Sequence, residues 1–566
     1  MQDFGLRFWR TTWRLMKPYW RSEEKARAIA LLIFIIILNL AGVFLLVKLN
    51  YWNNDFYNAL QNRDFDAFTR LIGDFSLLAF FYILSAVYAL YLRQMLEIKW
   101  RRWMTRQYLE RWLDNRMYYR LQLAGGTDNP DQRISEDLRL FVQLTLALSI
   151  GFMKAVVTLV SFIFILWQLS GTFTVPVLDI TIPGYMVFIA LLYAAVGTYL
   201  TQKIGRPLIK QNFDQQRYEA DFRYSLVRLR ENCESVAFYR GEVPEGEVFR
   251  TRFTNVVDNF WKIMKRQKKL TWFTSGYAQI AVIFPIIIAA PRYFSGQMQL
   301  GGLLQTVNAF GKVQDALSFF IDNYTAFAEW RAVIARLEGF AEHMDELETA
   351  RDDKTMVDGE EIATDKLAVA LPTGEVLVDD LTVRFGEGEA VLITGASGAG
   401  KSTLLRTLAG IWPYGSGTVV RPKEAVMFLP QKPYLPLGTL RQALIYPKAR
   451  TAKTDRELVD ILTSCRLPEL TTRLDDFADW TQMLSLGEQQ RIAFARVLVA
   501  RPRYLFLDEA TAALDEDTEQ HLYSLVKKHL PDTTIISVGH RSTLNAFHDK
   551  NLHLAGGSWQ MRDIKQ

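Results

Sequence analysis

From Ala28 to Val47 the chain carries no ionisable side chain. As a helix this run is about 30 Å long, the thickness of a bilayer's hydrocarbon core. A chain with such a run must satisfy every backbone group within the run itself, so a helix is the expected form. Five further apolar runs follow. The spans are expected near Ala28–Leu49, Leu71–Met95, Leu144–Leu169, Gly184–Gln202, Trp272–Phe294 and Gly302–Ala328. The sixth is the least apolar, since it holds Lys312, Asp315 and Asp322.

The flanks set the orientation. Residues 1–27 hold Arg7, Arg10, Arg14, Lys17, Arg21, Lys25 and Arg27, and the second span is followed by Lys99, Arg101, Arg102 and Arg106. The loop Ser170–Pro183 has no Lys or Arg. The positive-inside bias therefore places the N-terminus and the long connections in the cytosol. The net charge is +5, and the basic residues sit beside apolar runs, which points to membrane flanks and away from nucleic acid. Residues 4–20 interleave aromatic and basic side chains at helical spacing, as an interfacial helix does. No cleavable leader is expected. Cys233 and Cys465, the two cysteines, read as buried structural thiols.

The connections at about 96–140 and 203–271 are long, charged and helix-forming, so the spans are expected to run on into the cytosol. Each pair must turn at a tip, near Gly125–Pro130 and near Asn232–Gly241, where it can touch a soluble domain. Residues 331–362 read as a helix end and a linker. Beyond it, strand-like runs at Leu367–Leu371, Val376–Val378, Leu381–Phe385 and Ala390–Thr394 lead into alternating strands and helices, the pattern of an α/β domain with a largely parallel sheet. The expected division is 1–27, an interfacial helix; 28–330, a six-span membrane domain; 331–362, a linker; and 363–566, a nucleotide-binding domain.

The soluble domain carries Gly395-Ala396-Ser397-Gly398-Ala399-Gly400-Lys401-Ser402 between a short apolar strand and Thr403, which can open a helix. That is the context a P-loop requires. Its glycines let backbone amides wrap phosphates at a helix N-terminus. Lys401 is placed to reach the β- and γ-phosphates of ATP, and Ser402 to ligate Mg²⁺. Downstream, Tyr504–Glu509 reads as a buried strand ending in two acids. Asp508 is assigned to the metal and Glu509 to the base that orients or deprotonates water.

Upstream of that strand stands Leu484-Ser485-Leu486-Gly487-Glu488-Gln489-Gln490-Arg491. It resembles the signature of ATP-binding cassette (ABC) ATPases, which show a glycine where this chain has Leu486. The resemblance implies that Ser485 and Gly487 act on ATP held by a partner's P-loop. It implies further that Gln431 senses Mg²⁺, that Asp515 belongs to the loop spanning the dimer, and that His540 contacts the γ-phosphate. Many members stack adenine on an aromatic about 25 residues before the P-loop; here that region, Val369–Gly374, has none. One chain with six spans and one ATPase is a half-transporter, and a homodimer is the simplest assembly.

Residues 50–60, 127–137, 216–223 and 232–240 resemble the SbmA/BacA-like bacterial uptake permeases, in their branch with a fused ATPase. The peroxisomal fatty-acyl-CoA transporters look like relatives. The resemblance implies an exporter-like, type IV fold in a bacterial inner membrane. It also implies uptake of peptides or other bulky hydrophilic solutes such as corrinoids. The alternatives are an exporter or acyl-CoA transporter of the same fold, and an ATP-gated channel or sensor. In the sixth span Asn308, Asp315, Asp322 and Glu329 recur every seven residues, with Lys312 adjacent. They share one helix face, which fits a hydrophilic cavity for cationic cargo and fits equally a solvated cytosolic extension. Asn53-Asn54-Asp55 is read either as a guard of the outer mouth or as a cap before the next helix.

Overall fold

The computed structural model describes residues 6–125, 129–175, 180–349, 354–448 and 453–564. It divides into two compact units, Met1–Leu113 with Thr127–His343, and Asp114–Gly126 with Met344–Gln566. Residues 126–128 of the first expected tip and 350–353 of the expected linker lie outside the described residues.

The first unit is helical. Its helices are α1 (Leu6–Arg21), α2 (Lys25–Gln61) and α3 (Phe65–Leu113). The chain then passes through α4 (Met117–Leu123), which belongs to the second unit. It returns through α5 (Pro130–Gln132), a single π-helical turn at Arg133–Asp137 and α6 (Leu138–Ser170). A hairpin of β1 (Thr172–Val175) and β2 (Ile180–Pro183) follows. Then come α7 (Tyr185–Glu231), α8 (Cys233–Tyr239), α9 (Glu242–Phe294), α10 (Leu300–Asp322) and α11 (Tyr324–Thr349). Five of the described helices, α2, α3, α6, α7 and α9, are long and apolar enough to cross a membrane. At 47 and 53 residues, α7 and α9 far exceed one bilayer, so the long connections are helical extensions as expected.

The sixth expected span differs. The helix ends at Asp322 and restarts at Tyr324. The Asn323 side-chain amide (2.8 Å) and its backbone amide (3.1 Å) both donate to the Phe319 carbonyl, and the Phe327 amide reaches the Asn323 carbonyl at 2.9 Å, so the interruption is confined to one residue. Glu329 therefore lies on a different helix from Asn308 and Asp315. Despite its charges, α10 packs on α2, α6, α7 and α9, burying Ala309, Phe310 and Val313. Its first amides are capped from α2: the Leu300 amide donates to Gln61 Oε1 (2.7 Å) and the Gly301 amide to Asn58 Oδ1 (2.9 Å). Asn53-Asn54-Asp55 sits inside unbroken α2, so it caps no following helix.

The expected linker also needs correction. Residues 331–349 belong to α11, whose Val333, Ile334, Leu337, Phe340 and Met344 are buried. The stretch looked apolar-poor because these residues are spaced at helical intervals between charges. Asp137, at the end of the π turn, is 1% exposed. It accepts from Arg133 at 2.8 Å and from Arg336 of α11 through two bonds of 2.6 and 2.9 Å. Replacing Asp137 with alanine is expected to cost about 1–3 kcal/mol, since two guanidiniums lose their acceptor while Arg336 can still hydrate; thermal unfolding in detergent measures it.

Helix α1 lies against this unit. Tyr19 stacks on Trp100 at 5.3 Å, Phe8 and Trp9 meet Trp330, and Thr11 donates to Glu338 at 2.6 Å. Trp13, Arg7, Arg10, Arg14 and Arg21 are exposed, and Lys17 is half-buried. Cys233 is exposed, contrary to expectation, whereas Cys465 is buried.

Among the described residues the second unit has two larger sheets. One holds β3 (Lys354–Asp358), β4 (Ile362–Ala370), β5 (Val376–Leu381), β6 (Arg384–Phe385) and β8 (Gly415–Arg421). The other runs β15-β14-β7-β13-β12-β9, with β7 (Ala390–Gly395), β9 (Val426–Leu429), β12 (Tyr504–Asp508), β13 (Thr534–Val538), β14 (Lys550–Ala555) and β15 (Ser558–Asp563). All its pairings are parallel except β14–β15. Around it lie α12 (Lys401–Leu408), α13 (Leu440–Ile445), α14 (Asp455–Ser464), α15 (Trp480–Met483), α16 (Leu486–Ala500) and α17 (Glu516–His529), with the two-residue strands β10 (Gly438–Thr439) and β11 (Phe477–Ala478). The strands β7, β9, β12 and β13 are nearly continuous apolar runs because both their faces are covered.

Candidate active site

Parallel pairing puts the carboxyl ends of β7, β9, β12 and β13 side by side. Ile393 and Asp508 both stand opposite Val538, and Leu429 stands opposite Leu507. Ligands bind beyond such strand ends. Each expected catalytic residue follows one of these strands: the P-loop after β7, Gln431 after β9, Asp508 and Glu509 at the end of β12, His540 after β13.

The P-loop turns on positive φ at Gly395 (149°), Gly398 (84°) and Gly400 (89°). At Gly395 a Cβ would stand 2.4 Å from the Leu554 carbonyl, so no larger residue fits there. Lys401 opens α12, and its ammonium donates to the carbonyls of Gly395 (2.9 Å) and Ala396 (2.8 Å). It thus lies buried and folded back over the loop. Ser397 is exposed at the crest, and Thr403 lies in the first turn of α12. Ser402 Oγ donates to Asp508 Oδ1 at 2.8 Å. Burial raises the Asp508 pKa above the ordinary carboxylate value, against the pull of Ser402, Arg406 and Lys401. A hydroxyl and a carboxylate with poorly offset negative charge are hard oxygen donors that suit Mg²⁺.

Glu509 is the centre of the arrangement. Its backbone is left-handed (φ 48°), held by a bond from its amide to the Val538 carbonyl at 3.1 Å. One carboxylate oxygen accepts from Gln431 Nε2 at 3.1 Å; the other faces His540 Nε2 at 3.3 Å. Three residues far apart in sequence therefore meet on one carboxylate.

Ser485 caps α16 in a capping box: its Oγ donates to Glu488 Oε2 at 2.7 Å, and the Glu488 amide returns to Ser485 Oγ at 3.3 Å. At Gly487 a Cβ would stand 3.2 Å from the Ala513 carbonyl. Asp515 caps α17, accepting from the amide and hydroxyl of Thr518, and those bonds lower its pKa. Ser485, Gly487 and Asp515 do not reach Glu509 within this chain. The turn between β4 and β5 offers Leu371 and Val376 and, as read from the sequence, no aromatic.

Several residues that matter here were not singled out from the sequence. Gln490 is fully buried; its amide donates to the Gln431 carbonyl (2.9 Å), and its oxygen accepts from the Ala513 amide (3.0 Å). It lies inside the signature stretch, which was the available signal. Glu519, 1% exposed, accepts from Thr511 and Thr543 and pairs with Arg541 at 3.6 Å. Arg116, just before α4, donates to the carbonyls of Ala409 and Gly410 at 3.3 and 3.2 Å. Those carbonyls end the P-loop helix, where cations are favoured. The first tip thus touches the ATPase domain as expected, about ten residues earlier than read.

Residues 378–512 match the family description "ABC transporter", and residues 15–294 match "ABC transporter transmembrane region 2". An ABC transporter ATP-binding protein of Haemophilus influenzae is 37% identical over 553 residues, 97% of this chain and 92% of the relative. The chain is an ABC transporter. It joins a membrane region to an ATPase that binds ATP, generally with Mg²⁺, and couples it to transport. The mouse lysosomal cobalamin transporter ABCD4 is 27% identical over 594 residues, covering 97% of the transporter and 94% of ABCD4. A bacterial Atm1-family ABC exporter with ATP bound has the same fold, with a TM-score of 0.73 at 18% identity over 96% of each chain.

Proposed function

We propose that this transporter works as a homodimer in a bacterial inner membrane and takes up a bulky hydrophilic cargo, a peptide or a corrinoid. The observation that carries this reading is the uncovered face of α10. Asn308, Asp315 and Asp322 are exposed there, and Lys312 lies 3.8 Å from Asp315. Lys154 of α6 is exposed at the same depth, because Gly151, one turn before it, backs onto Phe319 of α10. Ionisable groups at membrane depth face water or a partner rather than lipid. Two copies bringing these faces together would enclose a wet cavity. Phe238 and Tyr239, 80% and 85% exposed on α8, are a further apolar end that a single chain leaves bare. The SbmA/BacA-like stretches and the cobalamin transporter among the relatives support the cargo class.

In this reading Lys401 and the P-loop amides hold the ATP phosphates. Ser402, Asp508 and Gln431 would hold Mg²⁺, which supplies charge neutralisation across the β- and γ-phosphates. Glu509 takes the proton of the attacking water, His540 contacts the γ-phosphate, and Ser485, Gly487 and Asp515 complete the site of the partner copy.

A second reading, transport of an acyl or lipid-like amphiphile, is favoured by one cavity. It measures about 670 Å³ and is mostly apolar, with Trp9, Phe152, Arg206, Tyr324 and Trp330 in its wall. The deciding experiment seals the transporter in liposomes with its ATPase domains outward. These are preloaded with a labelled cationic peptide, a corrinoid or an acyl amphiphile. Loss of peptide or corrinoid to the ATPase side with Mg-ATP, absent in Glu509→Gln, is the expected result. ATP-driven accumulation inside the vesicles, or movement of the amphiphile alone, overturns the uptake reading and leaves the ATPase reading standing.

A further inference from the structure

A second feature lies at the edge of the membrane, away from the ATPase and from α10. The stretch Phe75–Leu92 of α3 has no charged residue, and Arg93 is the first cation after it. On α6 the charged residues stop at Arg139 and do not resume until Lys154. Arg93 and Arg139 therefore mark one level, the cytosolic boundary of the hydrocarbon core. Here α3 and α6 enclose a pocket of about 260 Å³, lined by Arg93, Arg101 and Arg139 with Gln94, Glu97 and Gln143. Residues 93, 97 and 101 fall on one face of α3, four apart. The pocket thus gathers three guanidiniums against one carboxylate.

All three arginines are half-buried, although each stands where it could extend into water. Arg101 donates to the Ser135 carbonyl at 3.3 Å, and Arg139 donates to Gln143 at 3.3 Å and meets the exposed Glu136 carboxylate only at 4.0 Å, outside the pocket. Among the described residues Arg93 makes no hydrogen bond or ion pair. A half-buried cluster of like charges is costly unless an anion completes it, and guanidinium forks suit the paired oxygens of a phosphate. We propose that this pocket binds the phosphodiester headgroup of an anionic lipid of the inner leaflet, its acyl chains lying along the apolar faces of α3 and α6. The lipid source is favoured by the level of the pocket, where headgroup phosphates are already concentrated. The site adjoins the π turn, whose Asp137 is bonded to Arg336 of α11, so an occupant would brace that turn.

The test uses the full-length transporter, delipidated in neutral detergent. Retained lipid is counted by native mass spectrometry after adding phosphatidylglycerol or phosphatidylcholine. Phosphatidylglycerol is expected to be retained in preference, and Arg93→Gln with Arg139→Gln to weaken its binding roughly 25-fold, about fivefold per arginine. Lys203→Gln with Lys210→Gln on α7, both exposed, removes equal charge outside the pocket and is expected to leave binding unchanged. Equal retention of the two lipids, or equal loss in the control variant, overturns the site. Displacement of the lipid from the wild-type protein by an equal concentration of glycerol phosphate assigns the pocket to a soluble anion and overturns the lipid. That last measurement stands even if the double variant fails to fold.

Discussion

Replacing Glu509 with glutamine is expected to lower ATP turnover about 10²–10⁴-fold while ATP still binds. The carboxylate is where Gln431 and His540 converge, at 3.1 and 3.3 Å. The variant keeps the volume and one oxygen but loses the basicity that would accept a proton from water. In the proposed site nucleotide affinity rests on other groups, the P-loop amides and Lys401, and is expected to change little. Phosphate release and nucleotide binding, measured on one preparation, separate these effects. Turnover within threefold of the wild type would remove Glu509 from the chemistry. Loss of binding along with turnover would mean that the substitution had disturbed the left-handed turn at Glu509 instead.

Acidification is expected to destabilise the ATPase domain through His548. This residue is buried; one ring nitrogen faces the Leu544 carbonyl at 2.7 Å and the other Ser537 Oγ at 2.8 Å. The geometry fits a neutral ring with its proton toward Leu544. Burial drives the pKa down from 6.5 to about 4, more than the Leu544 carbonyl can restore, and Lys527 lowers it further. The folded state therefore binds the proton less readily than the unfolded state. The stability this confers is fully present above about pH 6.5 and is lost as the pH falls toward 4, amounting to about 3 kcal/mol. Denaturant unfolding at pH 7.5, 5.5 and 4.5 is expected to show a steeper acid loss in the wild type than in His548→Gln. Equal slopes would mean that other groups dominate.

The parts legible in the sequence are those whose physics is local. A hydrocarbon-length apolar run has few outlets besides a spanning helix, so α2, α3, α6, α7 and α9 could be read directly. The P-loop, the acids ending β12 and the Ser485 capping box are short patterns that carry their own geometry. The parts that escaped depend on tertiary context. The interruption after Asp322 is confined to Asn323, in a stretch whose seven-residue repeat suggests an unbroken helix. Gln490 and Glu519 act only through loops brought in from elsewhere in the chain. Helix α11 runs on to Thr349, farther than the sequence suggests, because its buried Val333, Ile334, Leu337, Phe340 and Met344 are interleaved with Arg336, Glu338, Glu342 and Asp345. Burial is the habit of cysteine as a residue type, but Cys233 opens a short helix with no buried residue and is exposed.

Gln490 has one more consequence. Gln490 ties α16 to the backbone at Gln431 and at Ala513; in the proposed dimer this would couple the helix that serves a neighbour's nucleotide to the loops beside the chain's own. In a dimer of such chains, filling one nucleotide site would shift the alignment of the other, so turnover would rise with ATP concentration more steeply than a simple hyperbola. Shortening Gln490 would return the curve toward independent sites before it abolished the rate.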